Sequence, residues 1–231
     1  ALTTLEPGLV GGTDGVPAAS RDDANRLSLA TDIARLSAIP ESERTEAEER
    51  LLRNATETED ALAQGADEID FSTGQPLERM LMLYQPGAAG GDGFAALAFG
   101  DPDSADHTSV SVPGITNDGS TLGSNAEDAL ALWRSAASDG SSVSTMMWIG
   151  YDAPSADSLD PDEIADMANV VRQEQAEAAG GDLADFVAGL RASHEGEPTD
   201  MTVIGHSYGS STVAQGLAAG MGDDVDQAAL L

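Results

Sequence analysis

The sequence predicts an α/β protein, in which a mostly parallel sheet carries helices on both faces and an N-terminal helical segment comes first. Two observations support this class. From about residue 108 onward, short apolar or β-branched runs alternate with longer stretches of helical spacing, as in a parallel sheet. The earlier strand-like runs, 79–84 and 94–99, are joined by a loop alone, so an antiparallel edge is expected there.

Residues 1–70 are expected to form a segment that precedes the sheet. Residues 1–19 are rich in glycine and proline, which predicts an extended lead-in. Leucine and isoleucine recur at helical spacing over 22–36, Pro40 interrupts that pattern, and an acidic helix is expected over 41–64. These two helices are expected to form a hairpin packed against the main domain.

Residues 78–231 are expected to form that main domain. After the antiparallel pair, strands are predicted at 108–112, 144–149, 201–204 and 225–231, and helices at 124–138, 161–179, 182–193 and 210–219. A capping-box pattern starts the first of these helices at Ser124, and Asp160 with Pro161 starts the second. Gly180-Gly181 is expected to separate two helices. Because the last apolar run reaches the end of the sequence, the domain is expected to be incomplete at its C-terminus.

The pentapeptide at 205–209, Gly-His-Ser-Tyr-Gly, is the most informative motif. An apolar strand precedes it and a helix follows, which is the context of a nucleophile elbow. Such a turn holds the serine, here Ser207, in a strained backbone conformation with its hydroxyl above the sheet. Side chains at Gly205 and Gly209 are expected to collide in this turn, so both positions require glycine. A glycine-rich strand-to-helix turn without chemistry is the alternative.

This order of elements resembles the α/β-hydrolase fold over about residues 78–231. The segments 14–26 and 202–210 more closely resemble a little-characterised serine-hydrolase branch, a domain of unknown function common in high-GC Gram-positive bacteria. The resemblance implies that Ser207 is a nucleophile, which attacks an ester, thioester or amide carbonyl and forms an acyl-enzyme.

The resemblance also implies an oxyanion hole made of two backbone N–H groups. One is expected at Tyr208, the residue after the nucleophile. The other is expected at Ile115, with Thr116 as the near alternative, in the loop after the third strand. Related hydrolases often carry His-Gly in that loop, whereas this chain has Pro113-Gly114. A plain strand terminator is the other interpretation of Pro-Gly.

The acid and base of a triad are not evident, since this fold orders them after the serine and no histidine follows Ser207. His206 is expected to point away from the hydroxyl, and His107 and His194 to lie at the opposite edge of the sheet. The aspartates after the elbow helix are expected at that edge too: Asp223, Asp224 and Asp226. The acid and the histidine are therefore expected beyond Leu231, in a longer hydrolase.

Composition limits the partners and cofactors. A net charge of −31, with arginine as the only basic residue type besides histidine, disfavours nucleic acid and anionic membranes. The acidic residues are spread along the chain, which favours a solvated surface over a site for a cation or a basic partner. No run is long enough to span a membrane. Without cysteine there is no disulfide or thiolate metal site, and both cytoplasm and secretion are left open.

No cofactor or metal is expected. The aspartates at 101, 103 and 106 beside His107 do not have calcium-loop spacing. The glycine-rich stretch 87–93 lies between strands rather than before a helix, so a phosphate site is not expected.

The sequence thus predicts a serine hydrolase that acts on the ester or related acyl bond of a small molecule, with a triad incomplete in this chain. Two alternatives are an acyltransferase using the same site and a catalytically inactive binding or assembly module. In the second alternative the N-terminal helices would be the surface for a protein partner.

Overall fold

The computed structural model describes residues 6–114, 117–152, 167–196 and 199–231. Within them, one six-stranded sheet has the order β1-β2-β4-β3-β5-β6. The strands are β1 (Arg79–Gln85), β2 (Phe94–Phe99), β3 (His107–Val112), β4 (Val143–Ile149), β5 (Asp200–Gly205) and β6 (Gln227–Leu230). β2 pairs antiparallel with β1 and β4, and the other pairs are parallel. This confirms the predicted fold class, with its antiparallel edge.

Helices cover both faces of the sheet. They are α1 (Pro7–Gly11), α2 (Ala18–Ser37), α3 (Glu46–Ala63), α4 (Leu122–Ala136), α5 (Met167–Ser193) and α6 (Tyr208–Ala218). The central strand β4 is buried along its whole length, and its side chains alternate between two cores. Trp148 packs with residues of α5 and α6 on one face, whereas Met147 and Ile149 pack with residues of α3 and α4 on the other.

The N-terminal segment is more helical than predicted, because α1 occupies part of the expected extended lead-in. Proline suits the first turn of a helix, which explains a helix that begins at Pro7. The buried Asn25 of α2 donates to the carbonyl of Gly11, 3.2 Å away, and so holds the end of α1. Residues of α2 and α3 share the second core with the sheet, among them Leu29, Ala55 and Leu62.

Two helix predictions are corrected by the structure. The capping box that precedes α4 is at Asp118 and Thr121, so Ser124 lies inside the helix and donates to the Thr121 carbonyl. Gly180-Gly181 does not break α5. A Cβ at Gly180 would lie 2.6 Å from the amide nitrogen of Gly216, so this glycine allows α5 and α6 to pack closely.

Three remaining expectations concern a helix start, membrane spans and the division into domains. The predicted helix start at Asp160 and Pro161 lies outside the described residues. Among the residues that are described, no helix combines the length and apolar character that crossing a bilayer requires. The division of the chain at residues 70–78 into two domains stays a prediction.

Candidate active site

Ser207 lies just after β5, at the edge where the parallel strands have their carboxyl ends. Its backbone has φ +55° and ψ −120°, and α6 begins at the next residue. Only one other non-glycine residue of the described part, Ala89, has a positive φ. Such a conformation typically costs about 1–3 kcal/mol, so surrounding contacts must maintain it. The structure therefore contains the strained strand-to-helix turn that the sequence predicts, with the serine exposed.

Hydrogen bonds on both sides hold this turn. The Ser207 amide donates to the carbonyl of Leu231 at 2.9 Å, next to the end of β6. The Ser210 hydroxyl lies 2.9 Å from the Gly205 carbonyl and 3.0 Å from the Leu231 carbonyl. The ends of β5 and β6 thus fix the backbone around the serine.

The two elbow glycines are required by close contacts and not by a positive φ. A Cβ at Gly205 would lie 2.6 Å from Cα of Ser210, within the turn itself. A Cβ at Gly209 would lie 2.2 Å from the carbonyl oxygen of Val112, at the end of β3. Both distances are shorter than carbon and oxygen atoms tolerate, which agrees with the collision expected from the sequence.

The loop after β3 lies against the serine. A Cβ at Gly114 would be 3.0 Å from Cβ and 3.3 Å from Oγ of Ser207, so a side chain at this position would crowd the serine. The Gly114 carbonyl accepts a hydrogen bond of 3.1 Å from the side chain of Asn117. Ile115 and Thr116, the expected sources of an oxyanion-hole amide, lie outside the described residues.

Tyr208 is the first residue of α6. The amides of a helix's first turn point toward its N-terminus, and here that end adjoins Ser207. The ring of Tyr208 stacks on that of Tyr151, with centroids 6.1 Å apart. Tyr151 was not identified from the sequence. Its position just after β4 was the available signal, because residues at the carboxyl ends of parallel strands meet at the ligand-binding edge of α/β proteins.

None of the three histidines is seen to act on the serine hydroxyl, and two of them lie far from it. His107 pairs with Asp200 at 3.2 Å, where β3 and β5 begin, which is the opposite edge of the sheet. Nδ1 of His194 is 3.1 Å from the carbonyl of Pro102, which precedes β3. His206 is exposed. Within the described residues, none of the three is hydrogen-bonded to Ser207.

The aspartates after α6 are also remote. Asp226 accepts hydrogen bonds from the Met201 amide at 2.8 Å and from Arg191 at 2.6 Å, at the start of β5. These hydrogen bonds, the Met201 amide first, lower the pKa of the Asp226 carboxyl. Asp224 contributes its carbonyl to Arg191, and Asp223 is exposed. These groups hold β6 and α5 together at the edge opposite Ser207.

The acidic group before β3 is structural as well. Asp103 accepts hydrogen bonds of 2.6 Å from the amide of Ala18 and from the hydroxyl of Ser193. It therefore connects the start of α2 to the end of α5. Among the residues that the structure describes, no three or more histidine and carboxylate side chains are grouped so as to hold a metal ion.

Comparison with known proteins gives a family and several relatives. The model of a family described as alpha/beta hydrolase matches residues 89–231. Uncharacterized protein Rv2079 of Mycobacterium tuberculosis (strain ATCC 25618 / H37Rv) is 36% identical over 238 residues, with 95% of this chain and 35% of that protein covered. Uncharacterized protein Mb0988c of Mycobacterium bovis is 29% identical over 136 residues, covering 54% of this chain and 47% of that protein. The chain thus spans about a third of the length of the first relative. The search of solved structures finds no match.

Proposed function

Because the chain belongs to the alpha/beta hydrolase family, we propose that it is a serine hydrolase with Ser207 as its nucleophile. The observation that carries the proposal is the backbone of Ser207, strained at φ +55° in an exposed turn at the carboxyl edge of the sheet. Strain of this kind persists where the surrounding contacts enforce it, and it is concentrated at active sites. Neither the strain nor the exposure of the hydroxyl is needed for a plain strand-to-helix turn.

The proposed reaction is acyl transfer to water. Oγ of Ser207 attacks the carbonyl carbon of an ester or related acyl compound while a base removes the hydroxyl proton. The negative oxygen that develops is held by backbone N–H groups, for which we propose Tyr208 and Ile115. The base then passes its proton to the departing alcohol, and water releases the acyl group from the serine in a second, equivalent step.

We propose that the base and its acid partner come from residues beyond Leu231. Of the three histidines, His107 and His194 lie at the opposite edge of the sheet, and none of the three is hydrogen-bonded to Ser207 within the described residues. One relative is also much longer than the part that matches, since this chain covers 35% of it. Labelling of a folded fragment 1–231 at the serine would contradict this part of the proposal.

The proposed substrates are small esters or related acyl compounds without a large negative charge. The net charge of −31 repels polyanions and lowers their concentration near the protein. An esterase-like activity on neutral esters is therefore the first activity to assay, with alcohols added as competing acceptors to detect acyl transfer.

The experiment that tests the nucleophile is labelling with a fluorophosphonate, which reacts with activated serines. We expect the natural full-length protein to be modified at Ser207 and the Ser207→Ala variant to be unmodified, as judged by mass spectrometry of the labelled peptide. Ser211→Ala is the matched control, because Ser211 is an exposed serine in α6, just after the elbow, and its loss should leave labelling unchanged. A folded full-length protein that is not labelled would contradict the proposal and favour a non-catalytic module.

A further inference from the structure

We infer that Tyr151 is a positioning residue that fixes two segments beside the Ser207 hydroxyl at once: the loop after β3, at Pro113 and Gly114, and the residue after the serine, Tyr208. The inference rests on the proposed function, because it concerns the groups placed around the Ser207 hydroxyl. Tyr151 follows β4 at the carboxyl edge of the sheet and is 3% exposed. Its hydroxyl contacts the loop after β3, and its ring contacts the residue after the serine.

Tyr151 first restrains the loop after β3. The Tyr151 hydroxyl donates to the carbonyl of Pro113 at 2.6 Å and lies 3.3 Å from the carbonyl of Gly114. A peptide group is planar, so the bond to the Pro113 carbonyl also fixes the orientation of the peptide that joins Pro113 to Gly114. The loop needs such a bond because Gly114, which lies directly beside Ser207, is a glycine and so has the most freely rotating backbone.

Tyr151 also restrains the elbow. The ring of Tyr151 stacks on two other aromatic rings, those of Tyr208 and Trp148. Each centroid is 6.1 Å from that of Tyr151, with interplanar angles of 22° and 17°. Trp148 belongs to β4 and is buried in the first core, so it anchors the stack in the sheet. The stack therefore restrains Tyr208, whose amide is the other proposed donor.

The state of the phenol agrees with this role. Burial, with a contribution from the neighbouring Tyr208, raises the pKa of the Tyr151 hydroxyl above its ordinary value. The hydroxyl therefore keeps its proton at neutral pH and remains a donor to the loop carbonyls. Asn117 gives the Gly114 carbonyl a second donor and is itself held by Asn125 at 2.7 Å. Loss of the Tyr151 hydroxyl should loosen the loop without releasing it.

Tyr151→Phe tests the inference in the natural full-length protein, because it keeps the stacked ring and removes the hydrogen bond. Tyr84→Phe is the matched control: Tyr84 is a buried tyrosine of β1 whose hydroxyl bonds to Asp32 at 3.3 Å. We expect Tyr151→Phe to slow the covalent step of fluorophosphonate labelling by about 10- to 100-fold, less than or comparable to removal of one oxyanion donor. Reversible binding of the probe should change by less than about twofold, since the donors act on the transition state. Tyr84→Phe should label at the wild-type rate.

Hydrogen exchange provides a readout that does not depend on activity. Peptides that contain Gly114 should exchange faster in Tyr151→Phe than in Tyr84→Phe, while peptides of β1 and β2 should not. Wild-type labelling and exchange rates in Tyr151→Phe would overturn the inference and leave the proposed function intact. Equal slowing in both variants would overturn it too, because it would reflect general destabilisation. A wild-type protein that is not labelled overturns the proposed function and the inference with it.

Discussion

The N-terminal segment and the elbow use polar side chains in opposite ways. In α2, Asp22 accepts from the amide of Leu81 at 2.7 Å and Asn25 donates to its carbonyl at 2.8 Å. These bonds occupy backbone groups on the outer side of β1, which would otherwise be open for another strand to pair. At the elbow, Ser207 is exposed on a strained backbone, and its hydroxyl has no hydrogen bond within the described residues.

This difference separates structural from chemical use of a motif. Residues 14–26 and 202–210 carry the same resemblance, and both regions pack against a glycine at which a Cβ would not fit: Gly11 lies against Asn25 and Gly209 against Val112. What distinguishes them is whether the polar group has its partners. Buried polar groups with complete hydrogen bonding stabilise the fold, whereas an open hydroxyl held in strain is suited to reaction.

The largest effect expected from the difference between the two regions is on stability alone. Asn25→Ala leaves the carbonyls of Leu81 and Gly11 without their donor and should lower the free energy of unfolding by about 2–4 kcal/mol. Asp23→Ala, at an exposed neighbouring position, should change it by less than about 0.5 kcal/mol. Denaturant unfolding measures both. The labelling rate of Ser207 should be unchanged in either folded variant, and a selective loss of labelling in Asn25→Ala would break the comparison.

A smaller effect is expected from the strain at the elbow. Glycine tolerates φ +55° whereas alanine does not, so Ser207→Gly should be about 1 kcal/mol more stable than Ser207→Ala. The sign should reverse at Ser211, an exposed position inside α6, where alanine should exceed glycine by about 1 kcal/mol. Unfolding of the four variants gives the two differences. If alanine exceeds glycine at both positions, the serine backbone is not strained.

The fold was predictable from the sequence because its signals are local. Apolar runs marked each strand, and the alternation of strands and helices indicated the parallel sheet. One prediction failed because a contact between distant residues decides the local structure. Gly180 was predicted to interrupt a helix, yet its role is set by Gly216 on α6, which no local pattern reveals.

In the candidate site, too, the local features were predictable from the sequence and the long-range contacts were not. The elbow could be recognised because strand, motif and helix are contiguous, and because Gly205 collides within the turn itself. The restraint on the neighbouring loop could not, since Tyr151 and Pro113 lie far apart in the sequence and meet only through the order of β3 and β4. An isolated tyrosine after a strand does not indicate which carbonyl it will contact.

The smallest expected effect is a pH dependence of stability that arises at Asp103, which binds the start of α2 in the N-terminal segment. Burial raises the pKa of Asp103, although hydrogen bonds from Ser193 and the Ala18 amide oppose the rise. A carboxyl whose pKa is higher in the folded than in the unfolded state binds protons preferentially when folded. Its contribution to stability is therefore present at low pH and is lost as pH rises through the folded pKa.

Asp103→Asn removes this titration and keeps an oxygen that can accept from Ala18. Thermal unfolding between about pH 4 and pH 7 should therefore show a smaller loss of stability with rising pH in the variant than in the wild type. Asp23→Asn, an exposed change of the same charge, controls for the net charge of −31, whose repulsion also grows with pH. If stability changes equally with pH in the two variants, the titration of Asp103 contributes no more than that of an exposed carboxyl. In that case the junction between α2 and the end of α5 would depend on hydrogen bonding alone.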